Sequence, residues 1–82
     1  MNNVETQEYE YYLDITADRC PMTFVKTRLM LDKMQAGQKL LVRLAGQEPL
    51  MNVPRSAKEI GCIVSEPVAE EDMVYRVVIQ KA

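Results

Sequence analysis

The chain has 82 residues and 9.4 kDa, is 48% apolar, and sets ten Lys plus Arg against twelve Asp plus Glu. That is one small folded globule with no room for a second domain, burying only a little over ~60% of the surface its unfolded chain exposes. No aliphatic run approaches the roughly 20 apolar residues of a bilayer-spanning helix, and a net charge of −2 gives no general attraction to nucleic acid or anionic lipid.

Residues 1–8 read as a polar, flexible tail, and residues 9–82 as a single domain. From Tyr9 to Ile15 the pattern alternates, with Tyr9, Tyr11, Leu13 and Ile15 opposed to Glu10, Tyr12 and Asp14. Such alternation predicts a half-buried strand. A turn over Thr16 to Arg19 leads to Cys20-Pro21 and a helix from Pro21 to about Gln35, since proline suits the first helical position. Phe24, Thr27, Met30, Leu31 and Met34, with Thr23 beside them, share the expected core side, and Gly37 is the stop. A second, thinner stripe of Met22, Val25 and Leu29 lies elsewhere on the helix. Lys39 to Ala45 alternates as a second strand, expected parallel to the first.

Gly46 to Met51 reads as a loop, with Asn52 as N-cap of a short helix carrying Val53, Ala57 and Ile60 and ending at Gly61. Cys62 to Val68 reads as a third strand. Glu70, Glu71 and Asp72 form a solvated acidic turn, and Met73 to Gln80 the last strand. The order β-α-β-α-β-β predicts a two-layer α/β sandwich: a four-stranded mixed sheet with both helices on one face.

The chain contains no histidine. Ser-His-Asp and Cys-His dyads and His-containing zinc sites are therefore excluded, and two cysteines are too few for a thiolate zinc site. Neither a metal nor an organic cofactor is expected. The first dozen residues carry Glu5, Glu8 and Glu10 and no Lys or Arg, the opposite of a secretory signal. Both thiols are accordingly expected to be reduced, in the cytoplasm.

Cys20, at a helix start, is the residue placed to do chemistry. Unpaired N–H groups and the helix dipole stabilise a thiolate there. Arg19 and Lys26 add positive potential, against Asp18. The plain alternative is a small residue at a helix start with no reactivity.

Leu13-Asp14, Cys20-Pro21 six residues after the aspartate, and Gly37 seventeen residues after the cysteine resemble the TusA/SirA-like sulfur-carrier family. Asn52-Val53-Pro54, Gly61-Cys62 and Ile79-Gln80-Lys81 extend the likeness to about Tyr11–Lys81. The resemblance implies a two-layer sandwich whose Cys-Pro cysteine, Cys20, carries sulfane sulfur as a persulfide, with Pro21 initiating the helix beside it. It implies a sulfurtransferase-like relay: a donor protein (a cysteine desulfurase or rhodanese type) loads the sulfur and an acceptor protein takes it. No direct nucleic-acid contact and no membrane are expected, and a domain this small is expected to be monomeric. The chain departs from the family pattern where Thr23 replaces the second proline of Cys-Pro-x-Pro, restoring a backbone N–H and adding a hydroxyl near the sulfur. It departs again at Ala17-Asp18, Ala45-Gly46 and Asn52.

Two further readings stay open. Cys62 is either a second, resolving thiol in a redox pair with Cys20 or a small apolar residue opening a core strand. Met22, Val25 and Leu29 are either a partner-docking surface beside Cys20, or packing against the second helix, or apolar residues scattered on the surface as any small domain tolerates. A non-catalytic interaction module of the same fold is the alternative to the relay. Arg43, Arg55, Lys58 and Arg76 read as dispersed solubilising charge.

Overall fold

The computed structural model describes residues 9–19 and 21–82; the expected tail and Cys20 lie outside them. The first alternating run forms β1 (Tyr11–Asp14), followed by α1 (Met22–Lys33), β2 (Lys39–Ala45), α2 (Gln47–Glu59), β3 (Ile63–Val64), β4 (Val68–Glu71) and β5 (Val74–Gln80). β1 pairs parallel with β2, in the register Leu13↔Val42, and β2 pairs antiparallel with β5 along its whole length. β3 and β4 both pair antiparallel with β5, giving a five-stranded mixed sheet ordered β1-β2-β5-β3 with β4 also on β5.

Leu40, Val42 and Leu44 of β2 and Val77 and Ile79 of β5 are buried in one layer of side chains. Leu31 and Met34 after α1's first turns, and Val53 and Ala57 of α2, close over that layer from one side. The expected two-layer sandwich is thus the fold, and the alternating period of β2 puts a purely aliphatic row against the helices.

The single strand expected over Cys62 to Val68 is two short strands lying end to end along β5. Ser65 breaks it: its N–H donates to the Val78 carbonyl, while its Oγ accepts the Val78 N–H, at 2.9 Å each. Pro67, which has no N–H for a ladder, then spaces β3 from β4.

The N-cap of α2 lies six residues before the expected one. Gly46 is the N-cap, with φ 94 and ψ 161, a backbone region reserved for glycine. Asn52 lies mid-helix, and the expected loop 46–51 holds the first turns of α2. Pro49 is third in the helix, where its missing N–H costs nothing, and Pro49, Val53 and Ala57 make the buried face at spacing four. Pro54 deprives the Leu50 carbonyl of its helical donor without stopping the helix. At the other end Gly61, at φ 92, sends its N–H to the Lys58 carbonyl while Cys62 sends its own to Ala57, a Schellman cap.

α1 also differs in rotation. Thr23, Thr27 and Leu31 are its buried residues, and Phe24, expected in the core, is 39% exposed. Thr27 can sit inside because its hydroxyl donates to the Thr23 carbonyl at 2.8 Å. The helix stops at Lys33, with Met34 extended, ahead of Gly37. Gly37 instead serves a turn closed by Gln38 N–H to Gln35 carbonyl at 3.0 Å, its φ of 90 supplying the left-handed corner.

Lys81 secures the end of α1: its Nζ donates to the Leu31 carbonyl at 2.6 Å, and its backbone bonds Gln38 and Gly37. A cation there meets the negative end of the helix dipole. Lys81→Met is expected to destabilise the fold by about 1–2 kcal/mol, read as a lower urea midpoint with unchanged slope; an unchanged midpoint would contradict the cap.

Candidate functional site

Parallel pairing requires the chain to leave β1 at the C-terminal edge of the sheet and return through α1, so the first turn of α1 stands at that edge. The connection is held at each step. Asp14 Oδ1 accepts the Thr16 N–H at 2.9 Å and the Thr16 hydroxyl at 2.7 Å, an Asx-type turn. Ile15, fully buried, donates its N–H to the Arg43 carbonyl at 2.9 Å, and Asp18 N–H closes on the Ile15 carbonyl at 3.1 Å. The Arg19 carbonyl then receives two donors, Met22 N–H at 2.7 Å and Thr23 N–H at 3.3 Å. Pro21 is the N-cap, one position ahead of the first helical residue where it was expected.

Cys20 lies outside the described residues, and its neighbours define the setting. Thr23 differs from expectation. Its N–H is committed to Arg19, and its side chain is only 1% exposed and faces the core. Its contribution is to tether the loop. Lys26 binds Asp18 through both carboxylate oxygens at 3.0 Å, so its charge is matched by the aspartate and it fastens loop to helix. Arg19 is exposed and lines a shallow cleft with Asp18 and the start of α2, from Ala45 to Pro49.

Met22, Val25 and Leu29 are 45%, 37% and 58% exposed. Packing against α2 is not their role, since α1 meets α2 through Phe24, Thr27, Arg28 and Leu31, in a groove completed by Val53, Ala57 and Ile60. Cys62 is 7% exposed and belongs to the core cluster. It follows α2, a 13-residue helix about 20 Å long, and stands at the opposite end of the sheet from Arg19 and Pro21.

The charged residues on the helix-free sheet face converge more than expected. Arg43 and Arg76 are cross-strand partners. Arg43 donates to Glu70 at 2.6 Å, Asp14 at 3.3 Å and Glu71 at 3.5 Å, and Arg76 reaches Glu70 at 3.5 Å. Glu70 is therefore part of a knot joining β1, β2 and β4, unlike the solvated turn residue expected. Arg55 and Lys58 stand apart on α2. Of the residues gathered here, Asp14 is legible in the Leu-Asp pair, and Thr16 only in the Asp-x-Thr spacing of an Asx turn. Glu70 depended on strand register. Among the described residues no cluster of candidate metal ligands occurs and no helix is long and apolar enough to cross a membrane.

The family model for Sulfurtransferase TusA matches residues 11–81. The chain belongs to the TusA family. A relative from Archaeoglobus fulgidus, named "Putative sulfur carrier protein", is 34% identical over 71 residues, spanning 84% of this chain and 78% of the relative. Another so named, from Methanocaldococcus jannaschii, is 36% identical over 70 residues, 84% of this chain and 91% of its own. The crystal structure of a SirA-like protein from Desulfitobacterium hafniense superposes with a TM-score of 0.78 at 19% identity, covering 87% of this chain and 96% of that one. That likeness bears on the fold, and the sequence matches bear on the family.

Asp14 is held below the usual carboxylate range, first by the Thr16 backbone N–H, then by the Thr16 hydroxyl and Arg43. Arg43 is raised in turn, chiefly by Glu70. A carboxylate depressed in the folded state stabilises fully above its unfolded pKa near ~3.9, and that contribution is lost as pH falls through the folded value. Asp14→Asn keeps the acceptor for Thr16 and removes the charge. Its deficit against wild type in urea unfolding is expected to hold from pH 7 to about pH 5 and to shrink below about pH 4. A deficit independent of pH would contradict the assignment.

Proposed function

We propose that this TusA-family protein is a cytoplasmic sulfur relay in which Cys20 carries one sulfane sulfur as a persulfide between two proteins. The observation that carries the reading is the family match across 11–81 together with Cys20-Pro21 immediately ahead of α1. A helix start favours the thiolate and, equally, the persulfide anion. Cys20 as thiolate attacks the outer sulfur of a donor persulfide. A new S–S bond forms on Cys20, the donor's S–S bond breaks, and the donor cysteine leaves as thiolate. An acceptor nucleophile then attacks the outer sulfur and Cys20 leaves as thiolate, with no net oxidation. The Arg19 carbonyl accepts the Met22 and Thr23 N–H groups, and the Lys26–Asp18 pair fastens the loop to the helix. Donor and acceptor residues belong to other proteins, so activity of the isolated chain is low.

A redox role shared with Cys62 receives no support from the placement of Cys62 at the far end of the sheet.

Intact mass spectrometry after incubation with inorganic polysulfide, without reductant, tests the reading. Wild type is expected to gain one sulfur, about 32 Da, reversed by dithiothreitol, and Cys20→Ser to gain none. Failure of wild type to gain mass would leave the interaction-module reading in its place. Equal gain in Cys20→Ser would move the chemistry to Cys62.

A further inference from the structure

The face of α1 turned away from the core carries Met22, Val25 and Leu29 along one line, all exposed. Helical spacing sets Lys26 and Lys33 along one margin of that line and Arg28 and Asp32 along the other, with Arg19 just ahead of the first turn. Asp32 is engaged by Arg28 at 3.4 Å and Asp18 by Lys26. Arg19 and Lys33 make no ion pair among the described residues. The segment 18–33 is net positive in a chain whose net charge is −2, so basic charge is concentrated around this apolar line.

The other apolar surfaces lack that match. On the helix-free sheet face, Tyr12, Leu41 and Val78 form a single cross-strand row. Arg43 and Arg76 with their carboxylates flank it on one side and Lys39 and Gln80 on the other, and these separate it from exposed Ile63 and Val68 at the edge strands. The groove between α1 and α2 has Arg28 and Glu59 on its rim and no sign of charge preference.

We infer that the exposed face of α1, centred on Met22, Val25 and Leu29, docks a protein surface presenting an apolar patch ringed by carboxylates. The apolar centre favours a protein over a nucleic acid, which would need stacking or phosphate contacts where methionine, valine and leucine stand. The basic margin speeds encounter and excludes basic surfaces, and the apolar line supplies contact area. Met22 is two residues from Cys20, so a partner seated here has its own reacting sulfur or nucleophile brought to the first turn of α1. That last step rests on the carrier reading. The docking itself does not.

The test uses the full chain, labelled with nitrogen-15, and two amphipathic helical peptides of identical leucine stripe, one flanked by glutamates and one by lysines. The glutamate peptide is expected to shift the amide signals of Met22, Val25 and Leu29, with sub-millimolar affinity that weakens at least ~5-fold between low and high salt. The lysine peptide is expected to leave them unmoved. Leu29→Glu, an exposed helical position, should weaken the glutamate peptide by ~10-fold or more while its spectrum stays folded. Equal response to both peptides, shifts confined to the groove or the sheet face, or tighter binding of a single-stranded RNA oligomer would overturn the proposal. No sulfur chemistry enters this titration, and polysulfide loading needs no docked protein, so either reading can fail alone.

Discussion

The parallel pairing of β1 with β2 is the constraint on which the rest depends. Two adjacent parallel strands cannot be joined by a tight turn, so the chain must cross over through α1. The crossover fixes where the helix begins, at the C-terminal edge of the sheet, and therefore where Pro21 and its neighbours stand. β2 also pairs with β5 over seven residues, so the strand that anchors β1 lies in the interior of the sheet. A rigid interior strand, a short connection bonded at Asp14, Ile15, Asp18 and Arg19, and a helix pinned at its far end by Lys81 make one continuous support for the helix start.

Charge is apportioned around that support. Arg43 ties β1, β2 and the hairpin tip together on the open face, while Lys26 and Asp18 cancel beside the loop. What remains exposed along α1 is an apolar line, with Arg19 and Lys33 as the cations beside it that make no ion pair among the described residues. A carrier must grip a partner briefly and release it, and a small apolar area guided by charge suits transient contact better than a large dry interface.

Much of the fold was legible because the periodicities were clean. β1 and β2 alternate in burial, β5 carries the apolar run Val77 to Ile79, and the Leu-Asp, Cys-Pro, Gly and Ile-x-Lys positions are co-linear with the family pattern. Where legibility failed, local chemistry was ambiguous. α1 carries two partial stripes, and Phe24 looked the better core residue than Thr23. Tertiary packing chose the threonines, one of which satisfies its hydroxyl within the helix. Gly46 to Met51 resembled a loop because Gly46 and Pro49 are turn residues, yet both are acceptable at a helix start. Asn52, a residue that favours caps, lies inside the helix. The break at Ser65 and the contact of Glu70 with Arg43 depend on strand register, which no short-range pattern encodes. At the site, the helix start next to Cys20 could be read in advance, and the burial of Thr23 and the pairing of Lys26 could not.

A carrier must both hold sulfur and give it up. Cyanide removes sulfane sulfur from a persulfide as thiocyanate and returns the thiolate, so the most direct measurement is cyanolysis of polysulfide-loaded, desalted protein, with Cys20→Ser alongside. The account predicts one thiocyanate per loaded chain and a return to the unloaded mass, with none from the variant. Loaded protein that yields no thiocyanate, or a variant that yields as much as wild type, would contradict it.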